Sequence, residues 1–141
     1  MRAWTQWSER RAFEILKSYQ ITCVPKPRQT RADRWKQRPP VMRYRAFADK
    51  CKELGVVVPE YGSTVIFTLP MPKSWSKKKR AQMDGEPHQQ TPDVDNLAKA
   101  LLDSVYDNDC RVWDIRFIKR WGVDGRIDIE NTAEQRPRRG D

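Results

Sequence analysis

The residues best suited to chemistry lie in one short segment, where two aspartates follow a proline. Pro92 precedes Asp93 and Asp95, and Val94 separates the two acids. Because proline disfavours helix in the residue before it, we expect an extended segment with both carboxylates on one side and Val94 packed on the other. Two carboxylates directed at one point repel each other unless a cation lies between them. Such oxygen ligands favour Mg²⁺ or Mn²⁺ over zinc.

The residues after this pair predict a helix that carries further candidates. Asp95 is suited to be its N-cap. The expected buried stripe consists of Leu97, Leu101 and Val105. Lys99 lies one turn beyond Asp95, where an ammonium group would neutralise charge that develops on a phosphate, and Asp103 lies one turn further.

A second acidic cluster lies between this helix and the next predicted strand. It consists of Asp107, Asn108 and Asp109. Short connections bring consecutive elements close together, so a carboxylate from this cluster could complete a metal site.

Each of these residues also has an ordinary structural explanation. Asp95 could be a plain N-cap and Asp93 a loop residue. Lys99 could form an exposed ion pair with Asp95 or Asp103, and the acids at 107 and 109 could be turn formers. His88, the single histidine, is predicted to be a loop residue rather than a general base.

The charge of the chain indicates an acidic polymer as partner. The 141 residues include 28 Lys and Arg against 19 Asp and Glu, which gives a net charge of +9. Nucleic acid is the first candidate, because neutralising phosphates releases counterions. A basic stretch is predicted to contact phosphate, with a solvated surface as the alternative: Lys73, Lys77, Lys78, Lys79 and Arg80.

Other classes of protein are disfavoured. The sequence has no apolar run long enough for a spanning helix and no apolar stretch of a signal peptide near its start. Its three cysteines are odd in number and widely spaced, so zinc and redox motifs are not expected. We therefore expect reduced thiols in a cytoplasmic protein without membrane contact.

The periodicity predicts one compact mixed α/β domain, an α+β fold in which helices pack on a mixed β-sheet. The expected order is a helix at residues 2–19, a strand at 21–24, a basic loop at 26–40, a helix at 41–54 that ends at Gly55, strands at 56–58 and 63–69, a short helix capped by Ser76, the helix after Asp95, and a hairpin formed by 111–121 and 126–129. We divide the chain into an N-terminal helical extension (1–20), the main domain (21–131) and a polar, disordered tail (132–141).

Taken together, these features resemble the RusA family of Holliday-junction resolvases, of the type found in prophages. The resemblance rests on Pro92 to Lys99, read as PDVDNLAK against a family pattern PDxDNLxK, then on Asp103 and on the segment from Asn108 to Val112. The stretch LPMPKSWSKKK at residues 69–79 also matches. The similarity covers about residues 21–131 and implies the RusA-like fold.

The resemblance also implies the site and the activity. It assigns the metal ligands to Asp93, Asp95 and Asp109, and an assisting catalytic role to Lys99. Asn108 stands where the family has its first acid of a DDxxV segment, which leaves Asp107 as an alternative to Asp109. The implied protein is a homodimer that uses Mg²⁺, with Mn²⁺ as a substitute.

The implied reaction is the resolution of four-way DNA junctions by paired symmetric nicks, in recombination and repair in a bacterial or phage-infected cell. Two alternatives stay open. One is a nuclease for other branched DNA, such as flaps or forks. The other is a branched-DNA-binding protein without catalytic activity.

Overall fold

The computed structural model describes residues 17–28 and 38–131, and the structural statements below concern these residues. Most of the expected helix at 2–19 (residues 2–16), most of the basic loop and the polar tail from residue 132 lie outside this part of the chain.

The described residues form a mixed four-stranded sheet. In chain order the strands are β1 (Lys17–Tyr19), β2 (Ser63–Pro70), β3 (Ile115–Gly122) and β4 (Arg126–Asn131). Their order across the sheet is β1-β4-β2-β3. β2 pairs parallel with β3 and antiparallel with β4, and β1 pairs antiparallel with β4. With three helices beside this sheet, the predicted α+β fold is confirmed.

The helices are α1 (Pro39–Leu54), α2 (Lys77–Met83) and α3 (Val94–Val105), and a short 3-10 helix spans Asp109–Arg111. The prediction for α1 is confirmed, although the helix begins two residues earlier than expected. Proline suits the first turn, because it lacks an N–H that would have no partner there. Gly55 ends the helix in the left-handed conformation at φ 65°, as its position predicts.

One apolar cluster joins α1 and α3 to the sheet. Val65, Phe67 and Leu69 alternate along β2 and are buried, so they share the face that the helices cover. The cluster is completed from other elements by Phe47, Cys51, Leu97, Ala100, Leu101, Ile127 and Ile129. Because Leu97 and Leu101 are fully buried, α3 is held firmly on the sheet.

The predicted hairpin of the last two strands is wrong, because β2 lies between β3 and β4. Both faces of β2 are largely removed from solvent, which suits a central strand that pairs on both edges. Residues 123–125 must then cross two strand spacings, about 9–10 Å. This crossing is tight: a Cβ on Gly122 would lie 2.2 Å from Thr68 Cγ2, and one on Gly125 would lie 1.7 Å from Thr22 Oγ1.

Three other local predictions are wrong. Lys17–Tyr19 is a strand, not the end of a helix. Residues 21–24 and 56–58 are not strands, although Ile21, Cys23, Val56 and Val58 are buried. An alternation of apolar residues indicates which side chains are buried. A strand also requires a neighbouring backbone with which to form hydrogen bonds, and these two segments are not paired in the sheet.

The cysteines agree with the predicted reduced state. Cys23 and Cys51 are buried free thiols, and Cys110 is an exposed one. Burial raises the pKa of Cys51 to about 11, which keeps this thiol protonated. Within the described part of the chain, no helix is long and apolar enough to cross a membrane.

Candidate functional site

The acidic pair lies at the start of α3 and is exposed. Asp93 occupies the N-cap position with an extended backbone, and Asp95 lies in the first turn, so the prediction that Asp95 is the N-cap is wrong. Because the helix already begins at Val94, this valine does not pack on the opposite side as expected and is 38% exposed. The positive end of the helix dipole stabilises both carboxylates here.

Lys119, which the sequence analysis did not single out, holds the segment before Asp93. Its ammonium group donates hydrogen bonds to the carbonyl oxygens of Gln90 and Pro92, each at 2.6 Å. The only signal in the sequence was the position of this lysine within the predicted strand, directly after Ile118. A strand of the central sheet thus fixes the backbone from which the acidic pair projects.

His88 precedes this segment and lies outside helices and strands, as predicted, but its side chain is buried. Its ring lies 3.9 Å from the ring of Trp121, and its backbone N–H donates a hydrogen bond to the carbonyl of Lys119. Burial, and then the charge of Lys119, lower the pKa of His88. The imidazole is therefore neutral near pH 7 and belongs to the packing of this region.

Lys99 lies one turn along α3 from Asp95 and is exposed. Asp103 is paired with Lys26 and not with Lys99. Lys26 lies in the segment predicted as a basic loop, and its backbone N–H also donates a hydrogen bond to the carbonyl of Asn96, at 3.5 Å. Lys26 is thus attached to α3 at two points.

An open groove of about 530 Å³ runs between α3 and the segment that contains Lys26. We call it the α3 groove; its lining consists of Lys26, Pro27, Arg28, Asn96 and Lys99. The hydrogen bond with Asp103 is the main cause of a raised pKa of Lys26, to which the charge of Asp109 also contributes. Lys26 is therefore firmly protonated at neutral pH.

The second acidic cluster lies towards the other end of α3. Asp109 is exposed in the 3-10 helix, and Asn108 caps this helix by accepting a hydrogen bond from the N–H of Cys110 at 3.1 Å. Asp107 is exposed beside it. Since Asn108 has this capping role, its amide serves the local turn.

The structure does not bring the three predicted metal ligands together. Among residues 17–28 and 38–131, no group of three His, Cys, Asp or Glu side chains could hold one metal ion. The assignment of Asp93, Asp95 and Asp109 as metal ligands stays a prediction.

Two carboxylates are nevertheless a suitable donor set for Mg²⁺. This ion keeps several waters and is commonly bound by one or two carboxylates together with substrate phosphates. Asp93 and Asp95 are exposed, and one oxygen of Asp95 accepts a hydrogen bond from the N–H of Asn96 at 2.9 Å. Asp93 and Asp95 therefore offer oxygen donors of the kind that this ion accepts, and their role as its ligands stays a prediction.

The basic stretch forms α2 and the turn before it. Ser76 caps the helix by accepting a hydrogen bond from the N–H of Lys79, as predicted. The ammonium of Lys79 lies 4.4 Å from the centre of the Trp75 ring, which in turn contacts Trp121 on β3. Exposed lysines occupy positions 73, 77, 78 and 79, and Arg80 is half-buried. Their contact with DNA stays a prediction.

The described residues thus form an α+β domain with an exposed acidic pair at the start of α3 and one lysine, Lys99, a turn further along the same helix. The model of the RusA endodeoxyribonuclease family matches residues 23–131. The chain therefore belongs to the RusA endodeoxyribonuclease family, and the resemblance seen in the sequence is confirmed. Among the curated proteins, none matches this chain.

Proposed function

We propose that this protein is a Mg²⁺-dependent endonuclease that resolves four-way DNA junctions by paired symmetric nicks in recombination and repair. The observation that carries the proposal is the family match over residues 23–131, which includes the acidic start of α3. Two equivalent cuts require two equivalent sites, so the proposed working unit is a homodimer with twofold symmetry.

In this proposal Asp93 and Asp95 hold the ion, and their exposure leaves room for water and a phosphate. The chemistry that Mg²⁺ supplies when bound is activation of a water and neutralisation of charge on the phosphate group. Lys119 keeps the backbone before Asp93 in place through its two hydrogen bonds. Asp109 does not form a metal-binding group with this pair in the described structure, so it would join the site only if the 3-10 helix moved when DNA binds.

Lys99 is proposed to place its positive charge beside the phosphate that is cut. It lies one turn from Asp95, about 6 Å along the helix, and its ammonium is exposed. Because Asp103 is already paired with Lys26, Lys99 does not have to give up that partner in order to bind a phosphate. An ammonium in this place stabilises the charge that develops in the transition state.

A specific observation also favours a second candidate, a branched-DNA-binding protein without catalytic activity. No three metal-ligating side chains meet within the described residues, and Asn108 replaces an acid of the family pattern. The intact pair of Asp93 and Asp95 favours the catalytic candidate, because two neighbouring carboxylates repel each other and a DNA phosphate unless a cation lies between them.

The decisive experiment is cleavage of a labelled four-way junction by the wild-type protein and by Asp95→Asn, with Mg²⁺, Ca²⁺ or a chelator. We expect cutting by the wild type in Mg²⁺ only, since Ca²⁺ is larger and positions phosphate and water less strictly. Asp95→Asn should bind the junction at least as tightly as the wild type, because it removes a negative charge, and should not cut it.

The same preparations separate the alternatives. If the protein cuts flaps and forks as fast as junctions, its activity is that of a general nuclease for branched DNA and not of a junction resolvase. Junction binding without cutting in any metal would support the non-catalytic candidate. Undiminished cutting in excess chelator, or by Asp95→Asn, would contradict the proposed metal mechanism.

A further inference from the structure

We propose that the α3 groove binds the sugar-phosphate backbone of the DNA strand that is cut. The inference deepens the proposed function and rests on it. It gives Lys26 and Arg28 a role that is separate from that of the basic stretch on α2.

The wall of the groove is fixed to the rest of the domain. The backbone N–H of Lys26 bonds to the carbonyl of Asn96, and the ammonium of Lys26 pairs with Asp103, so this segment is attached to α3 at two places. The guanidinium of Arg38 donates to the carbonyl of Arg28 at 2.8 Å, which attaches the far end of the wall to the residue before α1. Because its wall is fixed in this way, the groove needs little reorganisation when a DNA strand enters it.

The charge of the groove suits phosphate. Lys26, Arg28 and Lys99 contribute three positive charges to its lining, and Asp103 offsets one of them. An ammonium group has three donors, so Lys26 can keep its bond to Asp103 and still donate to a phosphate oxygen. Asn96 adds an uncharged donor and acceptor on the α3 side of the groove.

The position of the groove connects it to the acidic pair. Asn96 directly follows Asp95, and Lys99 lies one turn further along the same helix. A strand that lies in the groove therefore passes the exposed start of α3. The groove would keep one phosphate next to Asp93 and Asp95, while the neighbouring phosphates contact Lys26 and Arg28.

The test compares two double variants that remove the same charge. Lys26→Gln with Arg28→Gln removes two cations of the groove. Lys50→Gln with Lys52→Gln removes two exposed cations near the end of α1. Lys52 is about 12 Å along α1 from Tyr44, whose ring lies 5.9 Å from the Lys26 ammonium, so the control is well away from the groove.

The measurement is the affinity for a fluorescein-labelled four-way junction at several salt concentrations, with Ca²⁺ or chelator present to prevent cutting. Each phosphate contact contributes about 0.9 to the slope of log affinity against log salt. We expect the groove variant to lose about 1.8 of this slope and the α1 variant to retain the wild-type slope. As a single variant, Lys26→Arg keeps the charge and should therefore retain most of the slope that Lys26 contributes.

The outcomes are distinguishable. If the double groove variant is poorly folded by circular dichroism, Arg28→Gln alone gives the answer, since its exposed side chain can be changed without loss of the fold and should lower the slope by about 0.9. A groove variant with the slope of the α1 variant, in a protein that binds and cuts junctions, would overturn the groove alone. A wild-type protein that neither binds nor cuts junctions would overturn the proposed function and the groove together.

Discussion

Replacing Lys119 by methionine should slow DNA cutting while leaving DNA binding nearly unchanged. Lys119 is a positioning residue: its ammonium holds the carbonyls of Gln90 and Pro92, and Pro92 is the residue directly before Asp93. Methionine has a similar length and an apolar end, so the change removes the two hydrogen bonds without leaving a large cavity.

The size of the effect follows from these bonds. A hydrogen bond with a charged donor contributes about 1.5–3 kcal/mol. Since Lys119 is half-exposed and the bond to Gln90 is at the surface, we take about 2 kcal/mol for the pair of bonds. This free energy corresponds to about 30-fold in the population of the ordered segment, so we expect the rate of cutting to fall by about 10- to 30-fold.

The assay is single-turnover cutting of a four-way junction at saturating enzyme, which removes binding from the measured rate. Lys119→Arg should recover much of the rate, because it keeps a charged donor. Arg116→Met removes an equal charge from an exposed position on the same strand and should cut like the wild type.

Two results would refute this reasoning for Lys119. One is a wild-type rate for Lys119→Met, which would mean that the segment needs no support. The other is a loss of about 0.9 in the salt slope of junction affinity, which would mean that Lys119 contacts a phosphate instead.

Two further predictions concern α3. Lys99→Ala should lower the single-turnover rate of cutting by about 10²–10³-fold, because one donor is lost at the transition state. Junction affinity should change far less, because binding is summed over many phosphates. A variant that cuts like the wild type would place Lys99 outside the site. Leu101→Ala should lower the free energy of unfolding in urea by about 2–5 kcal/mol, because Leu101 is fully buried in the core; a loss below about 1 kcal/mol would contradict the packing described for α3.

Much of the local structure could be predicted from the sequence. The spacing of Tyr44, Phe47 and Cys51 predicts α1, and Gly55 predicts its end, because a helical face and a left-handed stop are local properties. Ser76 predicts the start of α2 for the same reason. These elements depend on residues within a few positions of one another, which the sequence shows directly.

The candidate site was predictable in its residue types and only partly in its arrangement. The segment from Pro92 to Lys99 identified the family, and the family match over residues 23–131 confirmed it. The expectation of an extended backbone through Asp95 is wrong, because the helix already begins at Val94. A shift of one or two residues in a helix start changes which side chains share a face.

The sequence by itself determined the family, the positive charge, the acidic pair and the helices that repeat apolar residues at a regular spacing. Only the tertiary structure decided that β2 separates β3 from β4, that Lys26 pairs with Asp103, and that Lys119 supports the segment before Asp93. These contacts join residues that are between 27 and 77 positions apart or that belong to strands paired across the sheet. Such contacts depend on how whole elements pack, and local periodicity carries no information about which distant partner each side chain meets.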